Sequence, residues 1–523
     1  MPEHNLVVPP EIGYNEVNLK EHLTHLGLLS SGNYFKIVRR SIDARQRAIK
    51  INLRVETRDT PIEVEYLEYF KRDHNVRNSP IIIIVGAGPA GLFAALKAIE
   101  LGLRPIVLER GKDVRSRRRD LAAINKENIV NPNSNYCFGE GGAGTYSDGK
   151  LYTRSKKRGS VRRIFEVLVA HGASSDILFE AHPHIGTNKL PKIITAIRET
   201  IEQAGGEIRF NSRVIDFLID GEIKGVKLQN GDEAKGESVL LATGHSARDI
   251  FHLCKNKKIR IEAKPFALGV RVEHNQNQID QARYHSENRG EYLPASSYSL
   301  VAQSTINEVE RGVFSFCMCP GGFIVPSATR QEEIVVNGMS PSRRDGKFAN
   351  SGIVVAVEGV DLTAYAQYEE LAHLKFQEEV EHSAWEIAGR TQTAPAQRLG
   401  DFVNDQLSNS LLDTSYQPGL TSVDMRGFLP EFIYKRLVSG FKQFDRKLKG
   451  FLTNEAQIIG VESRTSSPVR IPRNPETLEH IEVKRLFPCA EGSGYAGGII
   501  SAAIDGEKCM EKIAVMYGNK KVS

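Results

Sequence analysis

The sequence predicts an α/β protein organised around a parallel sheet, with an α+β unit inserted into it and a small α+β unit ahead of it. Three observations carry this expectation. A β-branched run, Ile81 to Val85, passes through Gly86, Gly88 and Gly91 into a helix-favouring stretch, Ala90 to Leu101, and on to a second strand, Pro105 to Glu109. Residues 205–249 read as successive strands broken at Asp220-Gly221 and Asn230-Gly231, ending in a buried strand that enters Ala242-Thr243-Gly244. Between these landmarks and a glycine-rich C-terminal stretch followed by a helix lie some two hundred residues of different texture, with alternating strands and a helical stretch near Gln367 to Arg390.

Taken in order, residues 1–77 form an accessory α+β unit, in which Ile49, Ile51, Leu53 and Val55 alternate with polar residues as on a half-buried strand. Residues 78–255 hold the first part of the parallel-sheet domain. Residues 256–460, opening with KPFALGVRVEH, interrupt it and are expected to face a small-molecule substrate. Residues 461–523 return to complete the first domain.

The segment 78–110 is the one serious candidate for a membrane span, and its composition argues against that. Pro89 and three glycines sit in its middle, Lys97 and Glu100 in its second half, whereas a spanning helix needs about 20 predominantly apolar residues. As a β-α-β unit every feature has a use. Gly86 permits a tight turn, Gly88 lets backbone approach a pyrophosphate, and Gly91 lets helix and strand pack closely. The helix start at Pro89-Ala90 offers free N–H groups and a positive dipole end to the phosphates. Glu109, 23 positions after Gly86, is placed to accept from a ribose diol and to repel a 2'-phosphate. The GxGxxG spacing recurs at Gly139, Gly141, Gly144 and at Gly492, Gly494, Gly497, but only the first copy has strand, helix and acid in place. A single complete unit could serve NAD or FAD.

The first fingerprint, the ATG after a hydrophobic strand and the C-terminal LFPCAEGSGYAGGIISAAIDG together resemble the FAD domain of glutathione-reductase-type, two-dinucleotide flavoproteins. FGEGGAGTYSDGKL, HIGTNKLPKIITAIRETIEQAGGEI, FCMCPGGFIVPSATRQEEIVVNGMS and EGSGYAGGIISAAIDG resemble more closely a group of predicted FAD-dependent, NAD(FAD)-utilizing dehydrogenases, over about residue 35 to the C-terminus. The resemblance implies a Rossmann-like FAD-binding domain, extended FAD and a redox role, with no settled substrate. Ala490 departs from the pattern, which more often has Gly before the acid.

The cofactor-binding candidates are Gly86, Gly88, Pro89, Ala90, Gly91, Glu109 and Arg110 at the first unit; Gly141, Gly142, Gly144, Thr145 and Ser147 in the second glycine loop; Val214, Thr243 and Gly244; and Glu491, Gly497, Gly498 and Ile499 near the C-terminus. Five glycines between 139 and 149 either approach a flat ligand ring or simply turn the chain, and Thr145 and Ser147 are possible hydrogen-bonding partners of that ligand. Glu491 and the glycines after it are expected to open a helix whose N–H groups stabilise charge on a reduced flavin.

No catalytic acid or base and no metal site is identified. His182, His184 and His245 lie nearest the motifs. Cys317 and Cys319 would share one strand face, either as packing or as a redox pair, and lack a second CxC or CxxC for a metal. The run RSRRRD, Arg115 to Asp120, is either a phosphate contact or a solvated helix face, and Arg343 and Arg344 are candidates for holding a substrate carboxylate.

Composition bounds the rest. The 523 residues leave room for roughly two to four domains, and 40% hydrophobic with 25% charged residues is ordinary for a soluble chain. A net charge of +5 is mild, so anionic small ligands suit it better than nucleic acid. Arg39, Arg40, Arg45 and Arg47 are the residues an RNA would meet if one bound. Six scattered cysteines and an N-terminus without a basic-then-apolar signal fit a reducing cytoplasm. The expected activity is therefore FAD-dependent oxidation or reduction of a small molecule. Whether NAD(P)H binds transiently as electron donor, whether the substrate is RNA, or whether the chain is a non-catalytic FAD-binding partner stays open at this level, as does the oligomeric state.

Overall fold

The computed structural model describes residues 2–30, 32–60, 74–153, 159–286 and 288–517. Residues 61–73 and 518–523, which belong to the expected N-terminal and C-terminal segments, lie outside the described residues. The centre is a five-stranded, wholly parallel sheet in the order Leu486–Pro488, Ser238–Leu241, Ile81–Val85, Arg104–Leu108, Glu207–Arg209. The run of isoleucines suits this place because parallel strands are buried on both faces. Ile82 and Ile84 enter one core with the helices Pro89–Glu100, Val161–Ala170, Leu190–Gln203 and Ile499–Tyr517. Ile83 and Val85 enter the other, shared with the helix Arg248–Asn256 and a three-stranded antiparallel meander. The meander strands are Val214–Asp220, Glu222–Leu228 and Glu233–Lys235, and their turns fall at Gly221 (φ +66°) and Gly231 (φ +95°), where the Asp-Gly and Asn-Gly pairs place them.

The α/β class and the Rossmann-like domain with its two additional α+β units are what the structure contains. The first strand spans the expected residues, the helix starts one residue earlier on Pro89, and the second strand ends at Leu108, so Glu109 stands just beyond it.

The inserted unit is an eight-stranded mixed sheet whose central strands are Val309–Pro326, Phe348–Val357, Phe266–Asn275 and Gln457–Glu462. The last of these runs across position 460. Helices Ala372–Ile387 and Glu431–Lys447 pack into this unit's core. The helical stretch expected near Gln367 to Arg390 is shorter, because a 3₁₀ segment, Gly359–Leu371, leads into it. Chain leaves and re-enters the parallel-sheet domain side by side, through the antiparallel pair Glu262–Ala263 and Val469–Arg470. At the N-terminus, strands Glu3–Val8, Lys50–Arg58 and Tyr34–Asp43 make a sheet around Ile51, Leu53 and Val55, all at most 3% exposed. Ile49 lies just before its strand. Arg40 ties this unit to the body through Glu180 and stacks on Tyr14 at 4.3 Å, so it is engaged within the chain. Among the described residues no helix is long and apolar enough to cross a membrane.

Candidate functional site

A cleft runs along the C-terminal edge of the parallel sheet and ends against the inserted unit. Its walls hold Gly86, Gly88, Pro89, Ala90, Glu109, Arg110, Gly142, Gly144, Ser147, Val214, Thr243, Gly244, Glu491, Gly498 and Ile499. Gly91, Gly141, Thr145 and Gly497 are not on its surface.

The three glycines of the first loop differ in what they do. At Gly86, φ is +107° and a Cβ would sit 2.4 Å from Ala242 O; at Gly91 it would sit 1.9 Å from Gly86 O. Both positions are closed by the protein itself. Gly88 is different: its φ of −75° suits any residue, and a Cβ would meet nothing within 4 Å. It caps the helix Pro89–Glu100 without any side-chain hydrogen bond, so the helix start opens on the cleft. The absence of a side chain at Gly88 thus serves something outside the protein fold.

Glu109 joins the loops. It is 5% exposed; Oε2 accepts from Ala87 N, and Oε1 from Gly111 N and Gly139 N, each at 2.9 Å. A carboxylate has about four lone-pair positions, which leaves Oε2 capacity toward the cleft. The second glycine loop lies on the first, with Gly141 N donating to Ala87 O at 2.8 Å. Thr145 turns away: it is fully buried and its hydroxyl donates to Glu140 O at 2.8 Å. Ser147 lines the cleft, although its hydroxyl already donates to Gly144 O.

Arg117, within the RSRRRD run, is neither a phosphate contact nor a solvated residue. It is fully buried beneath the second glycine loop and donates to Asn135 O, Glu140 O and Gly142 O at 2.7–3.0 Å. Arg110 crosses the Phe138 ring at 4.2 Å and bonds Asp249 and Asn133.

At the far end, Ala490 has φ +58°, the conformation for which glycine is ordinarily chosen, so the departure in sequence leaves the turn intact at the cost of backbone strain. Glu491 does not open the C-terminal helix as expected. A turn closed by Gly494 N on Glu491 O intervenes, and the helix begins at Ile499 behind Gly498, whose φ is +90°. Burial pushes the Glu491 carboxyl up to about 7, against the opposing pull of Lys264. The folded protein therefore holds this proton from the ordinary range near 4.5 up to about pH 7. The stability this contributes is fully present below about pH 4.5 and lost as pH rises through about 7. In FAD-free protein, Glu491→Gln is expected to remove on the order of 2 kcal/mol of the native decline across that window, read from urea midpoints at several pH values; parallel native and variant profiles would contradict the assignment.

His245 lines the cleft while His182 and His184 do not. Its Nδ1 is 2.9 Å from Ser246 Oγ, and burial, helped by Arg464 and Arg248, lowers its pKa to about 3, so the ring is neutral at physiological pH. His184 bonds Ser342 O. Arg344 already holds a carboxylate of this chain, Asp148, at 2.5 Å, which removes it as a substrate clamp; Arg343 is exposed. The inserted unit contributes Phe316, Cys317, Asn337 and Arg464 to the same end. Cys489, Asp505 and Cys509 gather within 4.8 Å of one another, but Arg473 pairs with Asp505 at 2.7 Å and supplies the positive charge there.

Three family models match: an FAD binding domain over residues 82–122, an FAD-dependent protein C-terminal domain-like family over 265–465, and a domain of unknown function over 1–58. An uncharacterized protein of Clostridium beijerinckii is 38% identical over 497 residues, covering 91% of each chain. The chain belongs to its family. A 4,4'-diapophytoene desaturase of a Methylomonas species is 39% identical over 67 residues, 13% of each chain. Among solved structures, CtdE in complex with FAD matches at TM-score 0.33 with 11% identity over 84% of each chain. Glycine oxidase of Bacillus cereus matches at TM-score 0.31 with 12% identity over 85% of this chain and 96% of that one.

The chain carries an FAD-binding domain, and the cleft suits FAD on its own geometry. Gly88, Gly244 and Gly498 each leave open space where a Cβ would stand, and the buried Thr243 Oγ1 has no hydrogen-bond partner among the described residues.

Proposed function

We propose that the protein is an FAD-dependent oxidoreductase of a small molecule, holding FAD extended along this cleft. The observation that carries the reading is the continuity of the cleft, from Glu109 and Arg110 past Gly88 to a far end closed by a second structural unit. Glu109 and the helix start at Gly88 would hold the ribose and pyrophosphate, and Thr243, Gly244, Gly498 and Ile499 would border the ring. FAD supplies two-electron chemistry when bound.

The chain's own groups orient the reactants and manage protons. Glu491, with a carboxyl poised near neutrality, exchanges a proton at the far end. His245 stays neutral and offers a hydrogen bond rather than a charge. Phe316 and Asn337, which line the same end, would limit what reaches the ring. NAD(P)H as a transient electron donor over the flavin is part of this proposal; Glu109, engaged by the FAD ribose, does not select between NADH and NADPH.

Anaerobic mixing with NADH, NADPH and a panel of organic acceptors and donors tests it. Flavin absorbance is expected to bleach with a nucleotide or a substrate and to recover with an acceptor. Bound FAD that no compound reduces or reoxidises would leave a purely structural cofactor and overturn the enzyme reading.

A further inference from the structure

The strand Val309–Pro326 is irregular at two successive points, between Phe316 and Cys319 and between Cys319 and Gly322. Its register with Phe348–Val357 shifts between Phe316 and Cys319, so three steps on one strand face two on the other. Within this bulge Cys317 has φ +45°, a left-handed conformation that costs a non-glycine residue about 1–2 kcal/mol. Bulges re-aim side chains, and this one places Cys317 on the wall of the same cleft that Glu491, Gly498 and Ile499 line. Cys319 stands fully buried behind it. The Cys319 thiol donates to the Cys317 carbonyl oxygen at 3.2 Å, which holds the two residues against each other.

We infer that Cys317 and Cys319 form a dithiol–disulfide pair that exchanges two electrons with FAD held in the cleft, and that the substrate class is a thiol or disulfide. This rests on the oxidoreductase reading above. The surroundings favour a reactive sulfur at the outer position. Arg271, fully buried, donates to the Cys317 carbonyl at 3.2 Å and is held by Glu462 at 2.7 Å, while Lys150 and Asp148 line the cleft nearby. The hydrogen bond from Cys319, then the Lys150 and Arg271 charges, hold the Cys317 thiol well below the usual thiol range, against burial and Asp148.

The Cys317 thiolate and the Cys319 thiol form the Sγ–Sγ bond, the Cys319 proton leaves, and FAD accepts the electron pair. An external thiolate then attacks Cys317, the outer sulfur; the Sγ–Sγ bond breaks and its electron pair stays on Cys319, which takes up a proton. A second external thiolate displaces the external disulfide from Cys317, which leaves as thiolate. The net change is two thiols oxidised to a disulfide and one FAD reduced.

The test uses the FAD-loaded full chain. After flavin content is measured, anaerobic dithionite titration is expected to consume about four electron equivalents per FAD in the oxidised native protein and about two in Cys319→Ser. Denatured thiol counts after exposure to glutathione disulfide and its removal should fall by two in the native protein, from the six cysteines of the chain, and stay at full number in the variant. Cys317→Ser serves if Cys319→Ser does not fold. A native protein that takes about two equivalents per FAD and keeps all six thiols would overturn the pair and leave the FAD reading standing. Failure to hold FAD would count against that reading alone, because the thiol count needs no flavin.

Discussion

Gly88→Val is expected to weaken FAD binding at least about a thousandfold, some 4 kcal/mol, while the protein still folds. Gly88 differs from its neighbours in what surrounds it. Gly86 and Gly91 are closed by Ala242 O and Gly86 O, so side chains there disturb the fold itself. At Gly88 a Cβ enters open space, and only a bound pyrophosphate competes for it. The valine is a poor N-cap and costs the helix about 1 kcal/mol, far less than the binding loss. Flavin fluorescence titration of deflavinated protein, with urea unfolding as a folding control, decides the matter. A Gly88→Val protein that retains native FAD affinity places the pyrophosphate elsewhere.

Glu381→Ala is expected to destabilise the FAD-free protein by about 3–5 kcal/mol. Glu381 has a fully buried side chain and accepts from Arg248 at 2.7 Å, Arg464 at 3.1 Å and Ser463 Oγ at 2.6 Å. Arg248 belongs to the parallel-sheet domain, and Arg464 follows the inserted unit's last long strand and lines the cleft. Removing Glu381 leaves two buried guanidinium groups sharing Glu333, with Glu378, 3.9 Å from Arg248, as the other acid within reach. Glu386→Ala, an exposed acid on the same helix, should stay within about 0.5 kcal/mol of native and serves as the control. Urea denaturation of both variants checks this, and a loss at Glu381 no larger than that at Glu386 would mean the cluster does not couple the two units.

Local chemistry in the sequence carried far, and its reach ended where contacts became distant. The first β-α-β unit was legible because strand, glycines, helix and acid sit within thirty residues and each has a local physical reason. The meander turns were legible for the same reason, from Asp220-Gly221 and Asn230-Gly231. Glu381 with Arg248 and Arg464 was not, since the three are brought together from 83 to 133 positions apart and nothing in their neighbours marks them as buried. Arg117 looked like one arginine among several; helical periodicity, which sets it beside Val114, Leu121 and Ile124 on the buried face, was the signal that could have singled it out. Thr145 faced the wrong way because the glycines around it adopt φ values of +78° and +59° at Gly141 and Gly142, a geometry that composition does not disclose. The CxC pair was visible as a pattern, whereas the bulge that turns Cys317 to the cleft depends on register with a strand thirty residues away.

The account's central claim is that FAD lies along one cleft, between the glycine loop at Gly88 and the inserted unit. A crystal structure of the FAD-loaded protein tests it most directly. The account predicts the pyrophosphate over Gly88 at the start of the helix Pro89–Glu100, the adenosine ribose on Glu109, and the flavin ring between Gly498–Ile499 and Phe316–Cys317. A flavin ring remote from Phe316 and Cys317, or a pyrophosphate away from Gly88, would contradict it.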